Sequence, residues 1–188
     1  FMSMGTILLF LAPMLTMRLL SEERKSRTYE LLMTAPLTTT EIVLGKFLSA
    51  FVALSSLVLV TSIYPIILGV MGKGDFEWAP IFTGYLGLLL LMGAFAAIGL
   101  FGSTLSENQI VSGVVTFGIL LLLWIISWAA SSMNEGTLRE IVSYLSITEH
   151  MAKFSQGVVQ VKDIIYYVSL ILFGNLLAHR VIESQRWR

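Results

Sequence analysis

Uncharged, mostly apolar stretches alternate with short charged connections along the chain: Phe1 to Met17, Phe47 to Gly72, Trp78 to Ser106, Asn108 to Asn134 and Ile164 to His179. Crossing the hydrocarbon of a bilayer takes about 20 such residues in helical form. The first stretch reaches that length through Arg18, Leu19 and Leu20, with the arginine turned toward the headgroups. The last draws on Val158, Val159 and Val161 upstream and on Val181 and Ile182 downstream. This leaves Lys162, Asp163 and Arg180 at the interfaces rather than in hydrocarbon. The predicted fold is therefore all-α, a polytopic membrane helix bundle in one domain (1–188), with spans over 1–20, 41–71, 79–105, 109–131 and 161–182.

Local chemistry marks the boundaries. Pro36 stops a helix, and Thr38 followed by Glu41 is a capping box that starts the second span. Pro80 suits a first helical turn. Pro65 falls inside the second span and predicts a kink near its far end. In the third span Gly84, Gly87, Gly93, Gly99 and Gly102, with Ala94, Ala96 and Ala97, are small enough to let helices approach closely in lipid. Between the last two spans (137–157), Leu138, Ile141, Val142 and Leu145 recur at helical spacing opposite Arg139, Glu140 and Ser143, which predicts an amphipathic helix on the outer surface. Trp78, Trp124, Trp128 and Trp187 fall near span ends, where indole rings anchor.

Composition agrees with a bilayer: 56% of the 188 residues are hydrophobic and 13% charged, with a mean hydropathy of +0.83. Twelve basic and twelve acidic residues cancel, so nothing points to nucleic acid. No cysteine and two histidines leave little for a metal site, and His150 reads as a packing or capping residue. Arg18, Arg24, Lys25, Arg27 and Lys46 surround the first connection, whereas the second carries only Lys73. The positive-inside bias puts the first connection and the C-terminal Arg180, Arg186 and Arg188 in the cytoplasm, eight basic residues against four outside.

The densest chemistry lies in residues 21–36, where six charges fall within nine residues between two apolar spans. Ser21 can cap a helix there, Glu22 and Glu23 suit its positive end, and Leu31, Leu32 and Ala35 supply apolar contacts before Pro36. A short interfacial helix that meets another protein fits this pattern, since charges orient a reversible partner and a few apolar residues anchor it. The plainer reading is a solvated loop whose charges only fix topology.

The run Glu22, Glu23, Arg24, Thr28, Glu30, Leu31, Leu32 and Pro36 resembles the first cytoplasmic loop of ABC-2 type transporter permeases, closest to the gliding-motility and copper-processing branch. The likeness continues through Leu37 to Lys46, Ser106 to Ile110, His150 to Gly157 and Arg186 to Arg188. The resemblance implies a coupling helix at Glu22 to Leu32, with Lys25 and Arg27 among its charges, that docks on a separate ATPase. It also implies a second permease chain, a bacterial or archaeal inner membrane, and ATP with magnesium on the partner rather than here. In that family an elbow helix and a first span precede this region, so the spans would be the second to sixth of six.

No phosphate-cradling Gly-x-x-x-x-Gly-Lys-Ser/Thr loop occurs, so ATP hydrolysis is expected on another chain. Two other readings compete. Glu22, Glu23 and Arg27 match the Glu-Glu-x-x-x-Arg pattern of a glutamate-dependent intramembrane protease, but Ser146 and Asn175 stand where its histidine partners need other residues, and Arg24 and Lys25 are costly inside a membrane. A membrane scaffold with no transport cycle is the other. Spans without internal charge suit a hydrophobic cargo, or force transmission, better than a free ion.

Overall fold

The computed structural model describes residues 1–71, 77–133 and 136–186. The expectations that fall on Lys73, Trp187 and Arg188 lie outside them. Every regular element is helical: α1 (Met2–Thr16), α2 (Ser21–Lys25), α3 (Tyr29–Thr34), α4 (Thr39–Thr61), α5 (Ile63–Met71), α6 (Ala79–Thr104), α7 (Gln109–Ser131), α8 (Thr137–Tyr144), α9 (Ile147–Ser155) and α10 (Val161–Arg186). Among the described residues, five runs are long and apolar enough to cross a membrane. Their outward faces carry Phe10, Met14, Val52, Val60, Val114, Leu122, Leu172 and Phe173. Apolar patches of that extent are stable only in contact with lipid or another chain.

The spans pack around α6. Over its apolar window α6 is 78% buried, against 17–39% for the other four, so it is the axis and they form the ring. Its glycines explain how it touches so many neighbours. A Cβ at Gly87 would lie 2.7 Å from Phe154 of α9, and one at Gly93 2.7 Å from Ile171 of α10. At Gly84, Gly99 and Gly102 it would run into Phe1, Thr16 and Thr116. Distributed around one helix, these residues leave room for side chains of α1, α7, α9 and α10 against its backbone. A close main-chain approach involves a glycine outside that helix: a Cβ at Gly174 of α10 would meet the Ala97 carbonyl carbon at 2.9 Å.

Residues 39–71 form one apolar run of 33 residues, about 50 Å as a straight helix and longer than a hydrocarbon layer of about 30 Å. The run breaks at Ser62, between α4 and α5. Pro65 has no N–H for the Thr61 carbonyl and its ring crowds that turn, which places the break just before the proline. Thr38 starts α4 as expected: its Oγ1 accepts from the Glu41 N–H at 3.3 Å, while Glu41 Oε2 accepts from the Thr38 N–H at 2.8 Å. Thr38→Ala is expected to cost about 1 kcal/mol of helix-start stability, seen as roughly fivefold faster amide exchange over residues 39–42.

Trp124 departs from the anchoring role. It is half-buried among the spans, its ring 3.0 Å from where a Cβ on Gly5 of α1 would stand. Trp128, one turn further, faces outward at 76% exposure. The region 137–157 is also two helices rather than one. α8 ends at Tyr144, and Ser146 caps α9, its Oγ accepting from the Glu149 N–H at 3.4 Å.

Candidate functional site

Residues 17–37 join α1 to α4 at one end of the bundle, beside the short turn between α6 and α7 and the end of α10. The single interfacial helix expected over 21–36 is replaced by α2 and α3, set apart by Ser26 to Thr28. The reason is local. Ser26 Oγ and Thr28 Oγ1 both donate to the Glu23 carbonyl at 3.3 Å, which satisfies the acceptor that a continuing helix would offer to the Arg27 N–H. Arg27 then adopts a left-handed backbone, φ 59°, the conformation that terminates helices and that a non-glycine residue occupies at a cost. Ser21 does not cap α2. It is buried and its hydroxyl donates back to the Met17 carbonyl, so Leu20 stands at the cap position. Pro36 acts as expected, with Ala35 extended at ψ 150° before it.

This fold sorts the charges into two sets. Glu22, Lys25, Arg27, Thr28, Glu30 and Leu31 are exposed, Leu31 at 71%. Glu23, Arg24, Tyr29 and Leu32 turn inward. Glu23 pairs with Lys46 of α4. Arg24 donates to Gln185 Oε1 of α10 and lies over the Tyr29 ring, 5.0 Å from its centroid. Tyr29 Oη donates to the same Gln185 oxygen at 3.2 Å. Beneath them Leu20 joins Val43, Leu100, Ala178 and Ile182 in a buried cluster that Tyr29 and Leu32 cover. The element is thus seated on α4, α6 and α10 and clamped by polar contacts to two of these helices.

An open cleft of about 560 Å³ adjoins it, lined by Arg24, Arg27, Tyr29, Glu30, Glu107 and Gln185. Its walls carry both signs of charge and no deep apolar pocket, which suits a protein surface rather than a small ligand. No cluster able to hold a metal ion occurs among the described residues.

A family model described as ABC-2 family transporter protein matches residues 3–181. The chain belongs to the ABC-2 transporter family. It is accordingly a multi-pass membrane protein and the permease component of an ABC transporter system, in which an ATPase is the partner. No curated protein matches it individually. Membership in this ABC-2 family replaces the protease reading, and the structure adds that Glu23 already spends a carboxylate oxygen on Lys46.

Lys46 and Gln185 belong to this candidate site and were not singled out by sequence reasoning. Lys46 counted toward topology and closed the run Leu37 to Lys46, and Gln185 had no distinguishing spacing. Their contacts to residues 23 and 24 join positions far apart in the chain, and no local pattern encodes them.

Proposed function

We propose that this permease subunit takes its power stroke from a separate ATPase that docks on the exposed face of α2 and α3. The observation that supports this reading most is the division of charges in residues 22–31. One set is exposed for a partner, and the other ties the element to α4 and α10. Motion imposed on the segment would thereby reach two spans at once. ATP and magnesium belong to the partner, and the transporter is read as two permease chains with two ATPase chains. This end of the bundle, with the C-terminus, is placed in the cytoplasm of a bacterial or archaeal cell, on the positive-inside bias. Spans without internal charge favour a hydrophobic cargo, or force passed to an outer protein, over a free ion.

The test is co-purification of the full chain with its ATPase after reversing only exposed charges: Glu22→Lys, Lys25→Glu, Arg27→Glu and Glu30→Lys. We expect at least tenfold weaker assembly and loss of ATPase stimulation, with the thermal unfolding of the permease unchanged. Unaltered assembly and stimulation would overturn the docking assignment.

A further inference from the structure

At the opposite end of the bundle, three elements converge on His150. Its ring is 2% exposed. Nδ1 lies 2.6 Å from Asp163 Oδ1 of α10, and Nε2 lies 2.9 Å from the Tyr144 carbonyl at the end of α8. Tyr166 stacks on the ring at 4.0 Å between centroids. Asp163, placed at the interface by its position in the sequence, is fully buried, and its Oδ2 has no hydrogen-bond partner.

Counting hydrogens decides the state of this group. A carbonyl oxygen only accepts, so Nε2 carries a hydrogen. The 2.6 Å contact between Nδ1 and Asp163 Oδ1, an oxygen that also accepts from Lys153 Nζ of α9 at 3.3 Å, closes only with one further hydrogen between ring and carboxyl. If the pair loses that proton, one N–H remains for two acceptors. Either the 2.6 Å or the 2.9 Å contact becomes lone pair against lone pair, in a site with almost no water.

We propose that His150 and Asp163 form a proton-binding site that latches α8 onto α10, closed when the proton is bound and released as pH rises. Other charges around it set its sensitivity. From α9 come Lys153 and Glu149, from α8 Glu140 and Tyr144, and from α10 Lys162, Tyr166 and Tyr167, several of them lining an adjoining cavity of about 190 Å³. Helices α1 and α7 carry no ionisable side chain, and α6 has only Tyr85, which bonds Thr61. Tyr166 and Tyr167 donate to the Leu145 and Ile147 carbonyls at 2.7 and 2.9 Å. They hold the corner between α8 and α9 in place, so release leaves α8 held by its packing on α7 and able to pivot about that corner. On the topology proposed above this end faces outward, but the latch itself does not depend on the ATPase.

The chain has no cysteine, so nitroxides can be placed cleanly at Leu138→Cys on α8 and Ile165→Cys on α10. In phosphatidylcholine nanodiscs, pulsed electron resonance should give a narrow distance distribution at pH 5.5 and a broad one at pH 8.5, with a one-proton transition between them. Asp163→Asn should abolish the transition, because an amide donates to a neutral ring without titrating. His150→Gln should abolish it as well, and serves if the first variant folds poorly. His179→Gln, at the other end of α10, should leave it unchanged. Identical distributions at both pH values, or a transition surviving His150→Gln, would overturn the proposal.

Discussion

Gly174→Leu is expected to prevent stable assembly of the bundle, at a cost of more than about 3 kcal/mol. The new Cβ would meet the carbonyl carbon of Ala97 at 2.9 Å and its oxygen at 3.1 Å. These are main-chain atoms of the most buried helix, and no rotamer change can move them. Helices α6 and α10 would have to separate, opening gaps along a contact that also includes Gly93 and Ile171. Thermal unfolding in detergent, followed by size-exclusion profile, reads the loss. Gly118→Leu is the control: nothing lies within 4 Å of a Cβ there, and leaving glycine in a helix interior should gain up to about 1 kcal/mol. Equal stability of the two variants would refute the backbone contact.

Glu23→Lys should uncouple the permease without dismantling it. It sets two ammonium groups against each other at a half-buried site, where Lys46 and Glu23 side chains are 26% and 27% exposed. Losing the attraction and adding repulsion is expected to cost about 2 kcal/mol, or roughly 30-fold in the population of the clamped segment. With the exposed face intact, co-purification with the ATPase should change less than twofold and ATP hydrolysis should persist. The ATP-dependent distance change between labels on α4 and α10 should largely vanish. Lys46→Glu in the same chain restores the pair with its charges exchanged, and should restore the distance change. A double variant as defective as the single one would show that the pair does not transmit motion.

The membrane bundle was legible because bilayer thickness imposes a length on apolar runs, and Thr38, Pro36 and Pro65 act within one helical turn of themselves. The break at Ser62 lies where the proline's missing donor and its ring place it. Residues 21–36 were legible as an unusual charge cluster, but not as two helices, since the stop depends on the Ser26 and Thr28 hydroxyls and on a left-handed arginine. The division of that cluster into exposed and clamped charges was not legible at all. Glu23 meets Lys46 only once α2 folds back on the start of α4, and Arg24 meets Gln185 only after the four later spans have packed. His150 and Asp163 likewise read as separate interfacial residues, and become one buried group because α9 folds back over the start of α10.

Helix α10 is held at both ends, by Asp163 at its first turn and by Gln185 at its last. Its 26 residues make a rod of about 39 Å, stiff enough that displacement of one end is felt at the other. Thermodynamic linkage then makes the traffic reciprocal. If closing the distal contact favours one tilt of the rod by some factor, then an ATPase bound at the near end in that tilt strengthens proton uptake by the same factor. The acidity of the medium beyond one face would become a brake or an accelerator on nucleotide turnover at the other. It would act through a single helix, with no ionisable group in the middle of the membrane.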